Sequence, residues 1–336
     1  MSPATSEGLV RGLANGLYRA GLTGALAASS GYLRREPAFS IFTYHRVNDN
    51  RDPFFPALPT RVFERQMQHI ARHYVVLPVE DLVERMARGS VPRNAVAITF
   101  DDGYRDNLTH AAPILARYRL PSTIFLATGF IATGEVPWYD RLATALKLSA
   151  RTHVTLPSGE DLSLETEAAR VAALGRSQAY FKSRSETAFT DELEVCLDRL
   201  GGDDRPSAKN AMLSWDDVHA LRGLGFRIGA HTVLHPILSC VSLERARAEI
   251  IDSQRAIRAA CGVTARAFAY PNGAAADYTP AVVDLVRKAG FTCAVTTRFG
   301  VNTARTSPWE LRRGQPWEEH LPTFALKLAW YRLTLR

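Results

Sequence analysis

Cysteine is scarce in this chain. Cys196, Cys240, Cys261 and Cys293 are the only four in 336 residues, and no Cys-x-x-Cys occurs. Such wide spacing argues against a disulfide framework and suits a reducing compartment. Long apolar runs are also missing: none reaches the roughly 18 residues of a membrane-spanning helix. A secretory leader needs an uninterrupted apolar core, yet Leu9 to Ala28 is broken by Arg11, Asn15 and Arg19. Small residues suited to cleavage remain in Ala25-Leu26-Ala27-Ala28-Ser29-Ser30. An amphipathic segment over 1–36 is therefore expected, with a location in the cytoplasm or at the cytoplasmic membrane surface favoured over secretion. Internal repeats and low-complexity tracts are absent. The net charge of +7 suits an anionic membrane surface or an acidic glycan. Nucleic acid is not an expected partner, because Lys and Arg are dispersed and no recognition motif appears.

What the chain does have is paired chemistry at the ends of apolar runs. Ala95-Val96-Ala97-Ile98 leads into Thr99-Phe100-Asp101-Asp102-Gly103, and Phe226-Arg227-Ile228-Gly229-Ala230 leads into His231-Thr232-Val233-Leu234-His235. Asp-Asp-Gly alone is an ordinary turn signal. Two histidines and a carboxylate together make a metal site, and three such ligands leave an open position for water, as catalytic zinc sites do. The second carboxylate can then serve as a base. Adjacent strand residues face opposite ways, so Asp101 and Asp102 can share one site only if the chain turns there, as Gly103 allows.

These two motifs, followed by Phe268-Ala269-Tyr270-Pro271-Asn272-Gly273, resemble the polysaccharide deacetylase (NodB-homology) family of carbohydrate esterases over roughly residues 39–300. The resemblance implies a distorted (β/α) barrel and a divalent-metal hydrolase, usually zinc-dependent, acting on acetylated amino sugars. It implies Asp101 as base and Asp102, His231 and His235 as metal ligands. A backbone N–H near Tyr270 or Asn272 would meet the oxyanion, with the Tyr270 ring free to stack on a sugar. Two departures matter. Ala269 stands where the family carries an arginine that orients the base, so Arg313 is a candidate substitute; Arg266 lies one strand face away. The late Leu-His motif has no match, since His320 sits in a polar run. The segment Tyr44-His45-Arg46-Val47 resembles a branch related to biofilm poly-N-acetylglucosamine deacetylases, which makes His45 the candidate acid. His69 and His73 have i, i+4 spacing but no third donor beside them, so no second metal site is expected.

Strand-like runs at 39–44, 74–77, 95–100, 122–128, 226–230, 266–270 and 292–297 alternate with helical patterns at 61–73, 79–88, 107–118, 215–224, 242–260 and 279–289. This predicts a largely parallel α/β fold with the motifs at the carboxyl ends of strands. Alternation stops over about 135–213, read as a mainly helical insertion into a domain at 37–315. Trp138 and Tyr139 at its start could stack on sugars or pin the insertion to the barrel. Gly201-Gly202-Asp203-Asp204-Arg205-Pro206 is predicted to be a turn. A basic amphipathic helix at 316–336 carries Leu321, Phe324, Ala325, Leu328 and Leu335 on one stripe. It could touch a membrane surface, although packing on the domain is favoured. The expected function is N-deacetylation of an amino-sugar glycan. An O-acetyl esterase, a non-sugar amide hydrolase and a weakly active metal-bearing glycan-binding protein remain alternatives.

Overall fold

The computed structural model describes residues 3–26, 36–131, 133, 135–201 and 211–334. Parallel strands β1 (Ala38–Tyr44), β2 (Val75–Val76), β3 (Ala95–Phe100), β4 (Ser122–Leu126), β7 (Phe226–Ala230), β8 (Ala267–Ala269) and β9 (Cys293–Val295) form one curled sheet. The short β10 (Asn302–Thr303) pairs antiparallel with β1, giving the order β10-β1-β3-β4-β7-β8-β9, with β2 attached to β3. The curl is completed by a segment with no strand of its own. Leu311 bridges to Val295 of β9 and Gly314 bridges to Phe42 of β1, both in parallel sense.

β3 reads Ala-Val-Ala-Ile-Thr-Phe and is buried along its whole length, as a central parallel strand covered on both faces should be. Its side chains divide by the period of two. Ala95 and Ala97 face the barrel interior with Phe39, Ile41, Phe125 and Ala267. Val96, Ile98 and Phe100 face the surrounding helices with Phe63, Ile114 and Leu115. Helix Val79–Ala87 sends Val79, Leu82 and Val83 into the interior cluster. The same parity that turns Ala97 inward turns Thr99 and Asp101 inward at the strand's end.

The expected strands and helices are present, most of them shorter than predicted. The strand-like run at 122–128 ends at Leu126 because Thr128–Phe130 forms a single 3-10 turn. The helical pattern at 107–118 opens with a π turn over Asn107–Ala111. In the insertion, helices Trp138–Leu148, Glu167–Lys182 and Glu186–Leu200 enclose their own core of Leu142, Leu146, Leu156, Phe181 and Leu197. It also holds a hairpin that the helical expectation omitted, β5 (His153–Thr155) against β6 (Asp161–Ser163). Ser158-Gly159 permits the reversal, with Gly159 at φ +87°. Residues 202–206 of the expected turn lie outside the described residues, as do 27–35 of the amino-terminal segment and Leu335.

The described part of the amino-terminal segment includes the helix Pro3–Arg19, which packs against the carboxyl-terminal helix Leu321–Thr334. The latter buries Phe324, Ala325 and Leu328 and also meets β1 and helix Thr60–His73. No helix among the described residues is long and apolar enough to cross a membrane. All four cysteines are free thiols.

Candidate active site

Asp102, His231 and His235 converge at the carboxyl ends of β3 and β7. Their ligand atoms all lie within 4.8 Å of one another, and no other group of three or more His, Cys, Asp and Glu clusters this way among the described residues. Asp102 Oδ1 stands 3.5 Å from His231 Nε2 and 3.6 Å from His235 Nε2. These separations are long for hydrogen bonds. Two ligands each ~2.1 Å from a tetrahedral cation would stand about 3.4 Å apart. His231 Nδ1 is 2.7 Å from Ala269 O and donates to it, so in the neutral ring the lone pair lies on Nε2, towards a carboxylate oxygen. Against burial, Asp102 and Asp101 raise its pKa, and a cation bound there would displace that proton. Burial holds the His235 pKa down to about 3, so its ring is neutral, as a ligand must be. The donor set therefore fits a divalent cation.

The backbone that delivers these groups is unusual. Asp102 (φ +74°), Thr232 (φ +65°), His235 (φ +56°) and Asn272 (φ +62°) are all left-handed, and Gly103 follows at φ +91°. Left-handed residues other than glycine are disfavoured by roughly 1–2 kcal/mol each, and their concentration here marks a functional constraint. The turn that lets both aspartates into one site therefore begins at Asp102 itself. The loop from His231 to His235 is clamped from behind. Glu249, buried on helix Leu243–Cys261, accepts from Val233 N (2.7 Å) and Leu234 N (2.9 Å). Gly129 N donates to Val233 O at 2.8 Å, and a Cβ on Gly129 would come within 2.8 Å of that oxygen.

Asp101 is held by Arg313. Nη1 donates to Oδ1 at 2.8 Å and Nη2 to Oδ2 at 2.7 Å, while Nε donates to Thr296 O at 2.8 Å. Arg313 is 1% exposed, carried into the barrel by the closing segment between β9 and β1. Burial pushes the Asp101 carboxyl up, but the guanidinium outweighs it and keeps the group below its ordinary value. Arg266 instead pairs with Glu84 at the surface. His45 Nε2 is 4.0 Å from Asp101 Oδ2, with the ring one-third exposed.

A cavity of about 370 Å³ opens over these residues. His45, Asp101, Trp138, Tyr139, Tyr270 and Asn272 line it, so the expected site residues apart from Arg313 share one space. Two of the expected roles for Tyr270 do not survive. Its N–H is given to Val295 O (3.2 Å), so it is not a free oxyanion donor. Its ring is 0% exposed, stacked on Tyr278 at 4.3 Å between centroids, with the hydroxyl bonded to Trp309 O. Trp138 both lines the cavity and packs edge-on against Phe181 and Phe189, inside the insertion. Tyr139 meets the His235 ring edge-on. His320 Nδ1 hydrogen-bonds the Thr323 hydroxyl at 2.7 Å, and among the described residues His69 and His73 gather no third ligand. Gln178, Lys182, Thr297 and Gln315 also line the cavity and carry no signal in the sequence that singles them out.

The comparisons with known proteins agree with this architecture. A family model described as polysaccharide deacetylase matches residues 88–294. The protein YxkH of Bacillus subtilis (strain 168) is 31% identical over 88 residues, 26% of this chain and 30% of YxkH, so the match spans less than a third of that relative. Among solved structures, the Streptococcus pyogenes deacetylase PplD in complex with acetate superimposes with a TM-score of 0.57 at 18% identity, over 83% of this chain and 92% of that one. IcaB from Ammonifex degensii gives 0.53 at 20% identity, over 86% and 97%. At such identities the structures establish a shared fold, while the family match covers more than half of the sequence. The chain belongs to the polysaccharide deacetylase family.

Proposed function

We propose that this protein is a metal-dependent hydrolase that removes N-acetyl groups from an amino-sugar-containing oligo- or polysaccharide. The observation that carries it is the pairing of Asp101, gripped at both oxygens by Arg313, with the adjacent Asp102–His231–His235 cluster in one cavity. Asp102, His231 and His235 would hold the cation, with zinc the first candidate for two imidazoles and one carboxylate. When bound, such an ion supplies Lewis acidity, polarising a carbonyl and making water acidic near neutral pH.

Asp101 is ionised and oriented, and it accepts the proton of the attacking water. The Asn272 N–H has no partner among the described residues and Asn272 lines the cavity, which supports its N–H as the donor that meets the oxyanion. His45, on the wall beside Asp101, gives a proton to the departing nitrogen as the carbon–nitrogen bond breaks. An amine leaves only when protonated, whereas an alkoxide from an ester depends less on an acid. A histidine at this position therefore favours the amide. Trp138 and Tyr139 offer aromatic edges to the sugar.

The test is acetate release from N-acetylglucosamine oligomers by zinc-loaded protein, with O-acetylated xylan as the competing substrate. Release from the oligomers that Asp101→Asn and His45→Ala each lower by about 10²-fold or more is expected. Turnover of xylan alone would replace the proposal with an O-acetyl esterase. Stoichiometric metal and bound glycan without turnover of either would make it a binding protein.

A further inference from the structure

The insertion places a cation in the cavity that the hydrolytic chemistry does not use. Gln178 and Lys182 lie four residues apart on helix Glu167–Lys182, hence on one face, and both line the active-site cavity. Lys182 stands where this cavity meets a neighbouring pocket of about 160 Å³, Trp138 and Ile237 also lining both. It is half-buried, and among the described residues no carboxylate approaches its ammonium within 4.0 Å.

The nearby negative groups are engaged elsewhere. Asp101 holds Arg313, and Asp102 faces two imidazoles. Asp277 accepts from Asn272 Nδ2 at 3.1 Å and Ala274 N at 2.7 Å. The other cations beside the neighbouring pocket have partners: Arg245 pairs with Glu249, and Arg184 lies over the Tyr180 ring. Burial pushes the Lys182 pKa down against the opposing pull of Asp277, as for an ammonium partly removed from water without a close counter-ion. A charge in that condition destabilises the free protein and gains when a ligand anion reaches it.

We propose that Lys182, with Gln178 beside it, is a specificity-determining residue that receives an acidic group of the substrate, a carboxylate or a phosphate ester borne next to the acetylated sugar. The proposal rests on the deacetylase function above and adds the substrate class: an acidic glycan rather than a neutral one. Lys182 supplies the charge, and the Gln178 carboxamide supplies a neutral N–H donor to the same oxyanion.

The experiment uses the full-length zinc-loaded protein and three probes: the neutral disaccharide of N-acetylglucosamine, the disaccharide of glucuronic acid and N-acetylglucosamine, and N-acetylglucosamine 1-phosphate. For each, kcat/KM is measured by acetate release and Kd by calorimetry. At least one acidic probe is expected to exceed the neutral one by about tenfold or more, as one charge-assisted hydrogen bond allows. That ratio is expected to fall to near one in Lys182→Gln and to persist in Lys182→Arg, which also controls for folding. It should shrink with added salt. Preference for the uronate probe assigns a carboxylate, and preference for the phosphate probe assigns a phosphate ester. A wild-type ratio near one, or a ratio unchanged in Lys182→Gln, overturns the proposal while leaving the deacetylase intact. Acetate release from none of the probes overturns the deacetylase function instead, and the Kd values then decide on Lys182: equal binding of acidic and neutral probes overturns it.

Discussion

Arg313→Met tests whether the grip on Asp101 is catalytic machinery. Methionine keeps an unbranched apolar stem inside the barrel and removes both N–H donors to the carboxylate and the donor to Thr296 O. Breaking a buried ion pair by deleting one partner leaves the other charge uncompensated, at about 3–5 kcal/mol. That loss appears as stability. Asp101 sits below its ordinary pKa because Arg313 outweighs burial, so it contributes stability that is present above the unfolded-state value and lost as pH falls through the folded-state value. In Arg313→Met this contribution disappears, and the variant melts at a lower temperature at neutral pH. The rate falls for a separate reason. A carboxylate free to rotate away from the attacking water is expected to lower kcat/KM by about 10²-fold, the scale of a 1 Å misplacement. Burial then acts on Asp101 with only the weaker pull of His231 and His45 against it, so its carboxyl rises and the acid limb of the kcat/KM profile moves to higher pH. Arg313→Lys should be intermediate, since a point charge cannot span both oxygens. The assay is acetate release across a pH series, with thermal melting as the control for folding. If Arg313→Met stays within about threefold of wild type with its acid limb unmoved, the grip is structural and the assignment of Asp101 as an oriented base fails.

The remaining predictions concern the ligand loop, the cation and a buried ring. Glu249→Gln removes the charge that two loop N–H groups share and should weaken metal affinity about 10–100-fold by competition with a chelator, as outer partners of ligands do; unchanged affinity would show that the loop holds itself. Dialysed wild-type protein is expected to retain about one equivalent of zinc, and His235→Ala to retain little; chelation should abolish acetate release and zinc restore it, so full activity after verified metal removal would sink the mechanism. His69 is 3% exposed, neither ring nitrogen is bonded among the described residues, and burial lowers its pKa to about 4. Against an unfolded value near 6.5, the unfolded chain takes up this proton first, so stability falls as pH drops from about 6.5 to about 4, by roughly 3 kcal/mol in all. His69→Phe should remove most of that slope in urea melts, and an unchanged slope would place its origin elsewhere.

The Asp102–His231–His235 cluster is legible in the sequence because strand parity and turn residues are local properties. Ala95, Ala97, Thr99 and Asp101 alternate into the barrel, and each motif sits on the residue after its strand. Arg313 is a different case. It meets Asp101 across 212 positions, on a segment whose two isolated bridges close the barrel without forming a strand. Nothing local in Leu311-Arg312-Arg313 says which arginine points inward, and only closure of the sheet decides it. Tyr270 shows the converse error: an aromatic residue in a motif suggested an exposed stacking ring, whereas register gives its N–H to β9 and packing gives its ring to Tyr278. Lys182 is the one lysine of a charged helix and looks solvated in sequence. Its position on the cavity wall follows from how the insertion's own core of Phe181 and Leu197 seats that helix. Asp101 and the Asp102–His231–His235 cluster are thus encoded at strand ends, while the placing of Lys182 on the cavity wall is encoded in long-range packing. If Lys182 selects the substrate as proposed, specificity should accordingly respond to substitutions in the insertion that leave the Asp102–His231–His235 cluster untouched.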